Sequence, residues 1–444
     1  MSETRPRVAI VGGGFLGMVL ALRFAQAGHA VTIFESAPAL GGLADAWEVG
    51  GVRWDRHYHV TLLSDAATRA LAAELGIDDY RWVRTRTGFY TGGKLYSMSD
   101  ALEFLRFPPL GAIDKLRLAA TILYASRLTD GERLEALPVE PWLRRLSGGK
   151  TTEKIWLPLL RAKLGDNAGK ASAAFIWAII ARMYAARRSG LKTELFGYAP
   201  GGYGRIVARF ADRLRALGVE TLPSTAVERI DGGEAGVTVR TADGERRFER
   251  AVVTAAAPAA LRLVPQLDAR ERERLAAFTY QGIVCASVVL RRALGPYYVT
   301  NVTDPQPFSA VIEMTALVDP AEFGGRHLVY LPKYVPSDDR AFETSDADIE
   351  ASFMTALCRM YPHLRADDAL AFRVSRTRYV LPVATLHYSR LVAPFATSVP
   401  GVAIVNSTHI VNGTLNVDET VALAERAAAA LLQSPAPRAL EAVS

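Results

Sequence analysis

The first clear pattern is a short β-branched run, Val8–Val11, closed by glycines. A continuous apolar run of this length reads as a buried parallel strand. Leu16–Ala27 then repeats apolar residues at helical spacing, and Gly28 ends it as a helix C-cap. Ala30–Phe34 reads as a second strand, so this stretch is a βαβ unit. The texture changes from Trp82 to Leu195. There glycine and proline bound helical stretches at Ser99–Phe107, Ile113–Ser126, Val139–Leu146, Thr151–Leu164 and Ala173–Arg187, which predicts a mostly helical insertion. An amphipathic helix from about Tyr203 to Leu217 returns the chain to α/β texture. Short strands follow at Thr225–Ile230, Val237–Thr241 and Arg247–Glu249, with Asp243-Gly244 as a hairpin turn. Ala251–Ala255 is a further buried strand, cut by Pro258. Ile283–Leu290, Tyr297–Val302, Ser309–Met314 and His327–Leu331 read as strands of a second sheet, and Asp346–Met360 as a helix. Strand, loop and helix close the pattern from Gly401 to Leu432, and the tail after Ser434 reads as loose.

A chain of 444 residues exceeds one ordinary core, so two domains are expected. The net charge of +6 is dominated by arginines scattered among acids, which is a solvated surface rather than a nucleic-acid groove. Cys285 and Cys358 stand in unrelated segments without a C-x-x-C, so neither a disulfide framework nor a zinc site is expected. Ser2–Pro6 has no apolar core and reads as no signal peptide. Apolar runs such as Ala171–Ala181 fall short of the roughly 20 residues that span a bilayer. The expectation is a cytoplasmic protein without a transmembrane segment. "LEFLRFPPLGAIDKLRLAATILYASR" is both apolar and basic. It reads either as a packed helical hairpin or as a surface for peripheral membrane contact or a lipid-like substrate.

Gly12, Gly14 and Gly17 fit G-x-G-x-x-G between the first strand and helix. The first glycine makes the turn, the second admits a pyrophosphate close to backbone, and the third lets helix and strand pack. The helix N-terminus at Phe15 and Leu16 then faces the phosphates. Glu35 ends the second strand, with Ser36 beside it, where a carboxylate accepts from ribose hydroxyls. A second pair, Gly41-Gly42, follows closely, and α/β texture leaves and returns twice. An NAD domain is one contiguous stretch; a larger cofactor lying extended across the sheet, FAD, fits this arrangement better.

"VGGGFLG" with Glu35, "ALGGLADAW", "WDRHYHV", "APGGYGRIVARFADRL" with "STAVERI", and the closing "GVAIVNSTHIVNGTLNVDETVALAERAAAALL" carry a resemblance. The chain resembles the flavin-containing amine oxidase superfamily, which includes protoporphyrinogen oxidase-like, phytoene desaturase-like and UDP-galactopyranose mutase-like proteins. That resemblance implies an α/β fold with a discontinuous Rossmann-like FAD-binding domain over 1–85, 196–265 and 396–444. It implies a second, substrate-binding domain over 86–195 and 266–395, a mixed or antiparallel sheet with a helical insertion. Gly41, Gly42 and Leu43 would line the extended cofactor, and Val227 would meet the adenine through its backbone. Asn406 and Ser407 fall near the ribityl-pyrophosphate. Asn416, Val417 and the helix after them would point N–H groups at the isoalloxazine O2, where a helix N-terminus stabilises negative charge.

His57-Tyr58-His59 is the sharpest polar cluster. On a strand the two histidines would share one face, as metal ligands do, yet no third ligand accompanies them, and no metal is expected. Each is either a structural histidine or, by the resemblance, a cofactor or substrate contact, with His59 as a general base or an electrostatic neighbour of the flavin. Lys163 is either a surface lysine at a helix end or, as in the superfamily, a lysine near flavin N5. Glu313 is either a strand-face acid paired with arginine or a catalytic group of the substrate sheet. The functional expectation is an FAD-dependent oxidoreductase that oxidises a biosynthetic small molecule (amine, glycosylated or lipid-like) by hydride transfer to flavin N5. A non-redox nucleotide-sugar mutase acting through reduced flavin is the alternative, and a flavin-free escort-type binding protein a third. Oligomeric state stays open.

Overall fold

The computed structural model describes residues 5–187 and 195–433; the tail after Ser434 lies outside them. Five parallel strands form the first sheet, in the spatial order Glu220–Leu222, Ala30–Phe34, Arg7–Val11, Arg250–Val253, Val402–Ile404. In chain order that is 3-2-1-4-5, the doubly wound arrangement, with its switch point beside Arg7–Val11. The central strands are mostly apolar because both faces are covered, one by helices and the other by an antiparallel meander with helix Ala257–Leu263. Helix Phe15–Gln26 is buried along most of its length between the sheet and helices Gly202–Ala216 and Val417–Gln433, which share its hydrophobic cluster. The meander, Val227–Gly233, Gly236–Thr241 and Gly244–Phe248, connects the third and fourth parallel strands. The expected strand Arg247–Glu249 is therefore split: Phe248 ends the meander and Arg250 begins the parallel strand.

The second sheet has seven strands in the order Ala369–Pro382, Tyr280–Leu290, His327–Pro336, Ala310–Glu313, Tyr297–Val302, Arg86–Thr91, Lys94–Ser97. All pairings are antiparallel except that of Tyr297–Val302 with Arg86–Thr91. Helix Asp346–Met360 packs on one face, through Ile349, Phe353 and Leu357. The other face, with Ile283, Cys285, Ile312 and Tyr330, meets Trp54, Tyr198 and Phe323. A helical group built on Trp142, Leu143, Trp156, Leu160 and Phe175 forms its own core beside this sheet.

Three strands depart from the helical reading of 82–195: Arg81–Arg84 at its start, then Arg86–Thr91 and Lys94–Ser97, joined by a Gly92-Gly93 turn. Strand Ala369–Pro382 is the longest element that periodicity did not predict; the parallel strand Glu220–Leu222, the pair Ala46–Val49 and Val52–Asp55, and helices Ala66–Glu74 and Ala269–Ala276 were also unpredicted. Ala369–Pro382 is an edge strand carrying Arg373, Arg376 and Arg378, and edge charges of this kind guard against further pairing while masking the apolar alternation. The expected helix Thr151–Leu164 is real but widened into a π turn over Thr152–Trp156 before Leu157–Leu164. Pro158 has no N–H to donate to the turn before it, and a wide turn relieves that clash.

Candidate functional site

The nucleotide-binding loop is built by two glycine turns that interlock. Gly12 N–H donates to the Phe34 carbonyl (2.9 Å) and Gly41 N–H to the Gly13 carbonyl (2.8 Å). A Cβ on Gly42 would lie 3.0 Å from Gly14 Cα, and one on Gly17 only 1.9 Å from the Gly12 carbonyl oxygen. Gly14 differs: a Cβ there would meet nothing nearer than 3.9 Å. The first helical bond runs from Met18 N–H to the Gly14 carbonyl. The N–H groups of Phe15, Leu16 and Gly17 thus have no helical acceptor and carry the positive end of the helix. Glu35 is buried, and one of its oxygens takes the Gly13 N–H (2.6 Å). The other takes the Ala37 N–H (2.7 Å) and the Ser36 hydroxyl (3.2 Å). Thr225 N–H donates to the Glu35 carbonyl and Ser224 N–H to that of Ala37, which brings Val227 to this end of the cradle. Thr254 Oγ1 donates to the Gly12 carbonyl (3.2 Å), and Asn406 Nδ2 to that of Ala255 (2.9 Å), so the fourth and fifth strands close the other side.

The segment after strand Val52–Asp55 reaches the second glycine turn. His57 and His59 lie in irregular chain rather than on a strand, and they do not share a face. His57 Nδ1 contacts the Leu43 carbonyl (3.2 Å) and Nε2 contacts Ser375 Oγ (3.2 Å), which pins the glycine turn to the second sheet. Arg56 adds an ion pair with Asp45. Burial pushes His57 down to about 4, against the opposing pull of the Leu43 bond. His59 packs on the Tyr203 ring (5.0 Å), and its Nδ1 stands 3.9 Å from Asp55 Oδ2, beyond hydrogen-bond range. Desolvation, then the neighbouring His57, push it down to about 3. Both rings are neutral at physiological pH, and neither is matched to proton abstraction there. Among the described residues no group of three or more His, Cys, Asp and Glu side chains gathers as a metal site would.

Sequence reasoning missed two parts of this region. Asp55 is buried and caps helix Gly202–Ala216, accepting from the N–H of Tyr203 (2.8 Å) and Gly204 (3.3 Å). Burial nevertheless raises its carboxyl to about 8. The second is a hydrogen-bonded chain. Lys163 Nζ donates to Tyr334 Oη (2.7 Å), and Tyr334 Oη meets Tyr58 Oη (2.9 Å). Lys163 also lies 3.9 Å from the centre of the Tyr334 ring. Burial, then the charge of Arg182, push the lysine down to about 8. The signal for Tyr58 was its place between two histidines.

Other expected residues have different surroundings. Glu313 accepts from the N–H of Leu294 (3.1 Å) and Gly295 (3.0 Å) and sits 3.7 Å from His327 Nδ1; it pairs with no arginine there. Burial raises it to about 7. Its strand partner is Val329, five residues and roughly 16 Å of strand from Tyr334, so the fold does not bring it to Lys163. Asn406 spends its amide within the protein, on Ala255, Thr408 N–H and Thr408 Oγ1, and Ser407 beside it is partly exposed. Asn416 caps helix Val417–Gln433 through the Glu419 N–H (3.0 Å). Asp418 and Glu419 occupy the first turn, with Asp418 bound to Thr68 N–H. Those acids already answer the positive end of that helix.

A family model for flavin containing amine oxidoreductase matches residues 17–432. A curated protein of Synechococcus elongatus described as a probable zeta-carotene desaturase is 27% identical over 325 residues. The match takes in 64% of this chain and 66% of that protein, so the chain spans just under two thirds of it. A structure of putrescine oxidase bound to putrescine superposes with a TM-score of 0.76 at 18% identity, covering 97% of this chain and 99% of that one. An oxidoreductase from Methanosarcina mazei does so with a TM-score of 0.74 at 16% identity, covering 96% and 100%. At such identities the two structures report on the fold.

Proposed function

The chain belongs to the flavin containing amine oxidoreductase family, and from that premise we propose that it is an FAD-dependent oxidoreductase acting on a biosynthetic small molecule. The observation that carries the reading is the interlocked glycine cradle. It leaves Gly14 unhindered at a helix N-terminus, a Cβ there meeting nothing nearer than 3.9 Å, and holds the carboxylate of Glu35 against the Gly13 N–H. Phe15, Leu16 and Gly17 offer N–H groups to a diphosphate, while Glu35, Ser36 and Val227 border the adenosine end. Gly41, Gly42 and Leu43 continue toward the ring end, where His57, Tyr58 and His59 lie. Thr254, Asn406 and Ser407 bound the cradle on the side of the switch point.

When bound, the flavin supplies a two-electron acceptor for a substrate C–H bond. His57 fixes the turn at Leu43. His59, neutral and apolar in its packing, shapes the wall rather than taking a proton. Lys163 is the better-suited proton acceptor: burial lowers its amine to about 8, and the amine is bonded through Tyr334 to Tyr58 beside the cradle. The substrates to be tried first are polyenes and amines, a choice supported by the names of two similar proteins, a probable zeta-carotene desaturase and a putrescine oxidase.

Gly14→Val tests the assignment. The backbone there is extended and the Cβ unhindered, so the variant should fold with the melting temperature of wild type stripped of its flavin. Its side chain would fill the diphosphate position. The wild-type protein should purify yellow with a flavin spectrum and the variant should hold less than about a tenth of that flavin, corresponding to a loss above roughly 1.4 kcal/mol. Full flavin occupancy in the variant would remove the cradle from the reading.

A further inference from the structure

Helix Ala112–Ala125 is apolar on both sides. Its buried face carries Leu118 and Ala125 with Thr121, which is bonded to the Arg117 carbonyl and to Ser147 Oγ. Its outward face carries Ile113 at 74% exposure and Leu116 at 72%, followed by Ala119, Ala120, Leu123 and Tyr124. Helix Ala101–Arg106 adds Leu102 and Leu105, exposed by 55% and 63%. Lys115 Nζ donates to the Leu105 carbonyl (2.6 Å) and so joins the two exposed faces. Isolated exposed leucines need no explanation; a contiguous stripe of this kind does.

Cations dominate the rim of the stripe: Arg106, Lys115, Arg117 and Arg127 border it. Of the acids of these two helices, Asp100 is spent capping Ala101–Arg106 through the N–H groups of Leu102 and Glu103 (both 2.9 Å), and Glu103 and Asp114 are turned to Arg86 (2.9 Å) and Lys150 (3.3 Å). Among the described residues no helix is long and apolar enough to cross a membrane. An apolar face edged by cations, on a helix of 14 residues, suits the plane of an anionic lipid surface, where leucines enter the acyl boundary and cations meet phosphates. A second copy of this chain would bring the same cations against each other. We propose that helices Ala101–Arg106 and Ala112–Ala125 form a membrane-docking surface for the anionic face of a bilayer.

The test is flotation of the full chain with vesicles of phosphatidylcholine containing 30% phosphatidylglycerol, and with pure phosphatidylcholine as the neutral arm. The expected result is flotation with the anionic vesicles, weakened by added salt and by the neutral arm. The double variant Ile113→Glu/Leu116→Glu should reduce the floated fraction at least about tenfold. Both sites are exposed, so its melting temperature and secondary structure should match the wild type. Failure of the wild type to float with anionic vesicles overturns the proposal, as does undiminished flotation of a folded double variant. A concentration-dependent dimer that the double variant abolishes, with no vesicle binding, also overturns it and assigns the face to a second copy.

Discussion

Asp55 is the residue whose chemistry is most at odds with its surroundings. One oxygen caps a helix and the other faces a neutral imidazole 3.9 Å away, while burial holds the carboxyl near 8. An unfolded aspartate ionises near 4. Between about pH 4 and pH 8 the unfolded chain therefore releases a proton that the folded chain keeps, and folded stability falls as pH rises through that window. Asp55→Asn keeps the cap acceptor and cannot ionise. Melting curves should show the variant gaining stability relative to wild type from pH 5 to pH 8, and an unchanged difference across that range would sink the argument. Lys163 runs the other way in function: its amine becomes a proton acceptor as pH rises through about 8. With any substrate that bleaches the flavin anaerobically, the wild-type rate should climb through that pH. Lys163→Met should lack the rise and be at least about tenfold slower at pH 9. Equal profiles would return Lys163 to a structural role. Neither environment could be read in advance, because Lys163 and Tyr334 are 171 positions apart and only the packed sheet sets them together.

Elements differ in how openly the chain announces them. Four of the five parallel strands were legible because both faces of the sheet are covered, so Val8–Val11 and Ala30–Phe34 are mostly apolar without alternation; the fifth, Glu220–Leu222, is short, carries Glu220 and Thr221, and was not predicted. The glycine turn was legible because each glycine answers a separate steric demand. That difference can be measured. A methyl at Gly17 would enter the Gly12 carbonyl, forcing helix Phe15–Gln26 off its strand, so Gly17→Ala should lower stability by at least about 2 kcal/mol. With both proteins stripped of flavin, the same denaturant titration on Gly14→Val should show little change. If both variants lost stability equally, the two glycines would share one structural role and the steric account would fail. The edge strand Ala369–Pro382 was not legible, since its arginines serve the exposed edge and not the core. The hairpin around Gly92-Gly93 was hidden by the helical texture on its C-terminal side.

At the scale of the whole molecule, the doubly wound sheet is assembled from distant pieces: Arg7–Val11 pairs with Arg250–Val253, which pairs in turn with Val402–Ile404. Helix Val417–Gln433 then packs on Phe15–Gln26, and Arg23 clamps both Glu74 (2.8 Å) and Glu425 (2.6 Å) across that contact. The general architecture was legible because each piece carries its own local pattern. The joining of pieces was legible only through resemblance, since no local signal tells Val402 that its neighbour lies near residue 252. This order has a consequence for the living cell. A ribosome adding about 5–20 residues per second needs roughly 20–80 s between releasing the first glycine turn and releasing the strand that completes its sheet. During that interval the turn has no finished wall on one side, and its apolar helix lacks a cover. Chaperone occupancy and cofactor loading must then be timed by the emergence of Val402–Ile404, not by the appearance of the glycine turn itself.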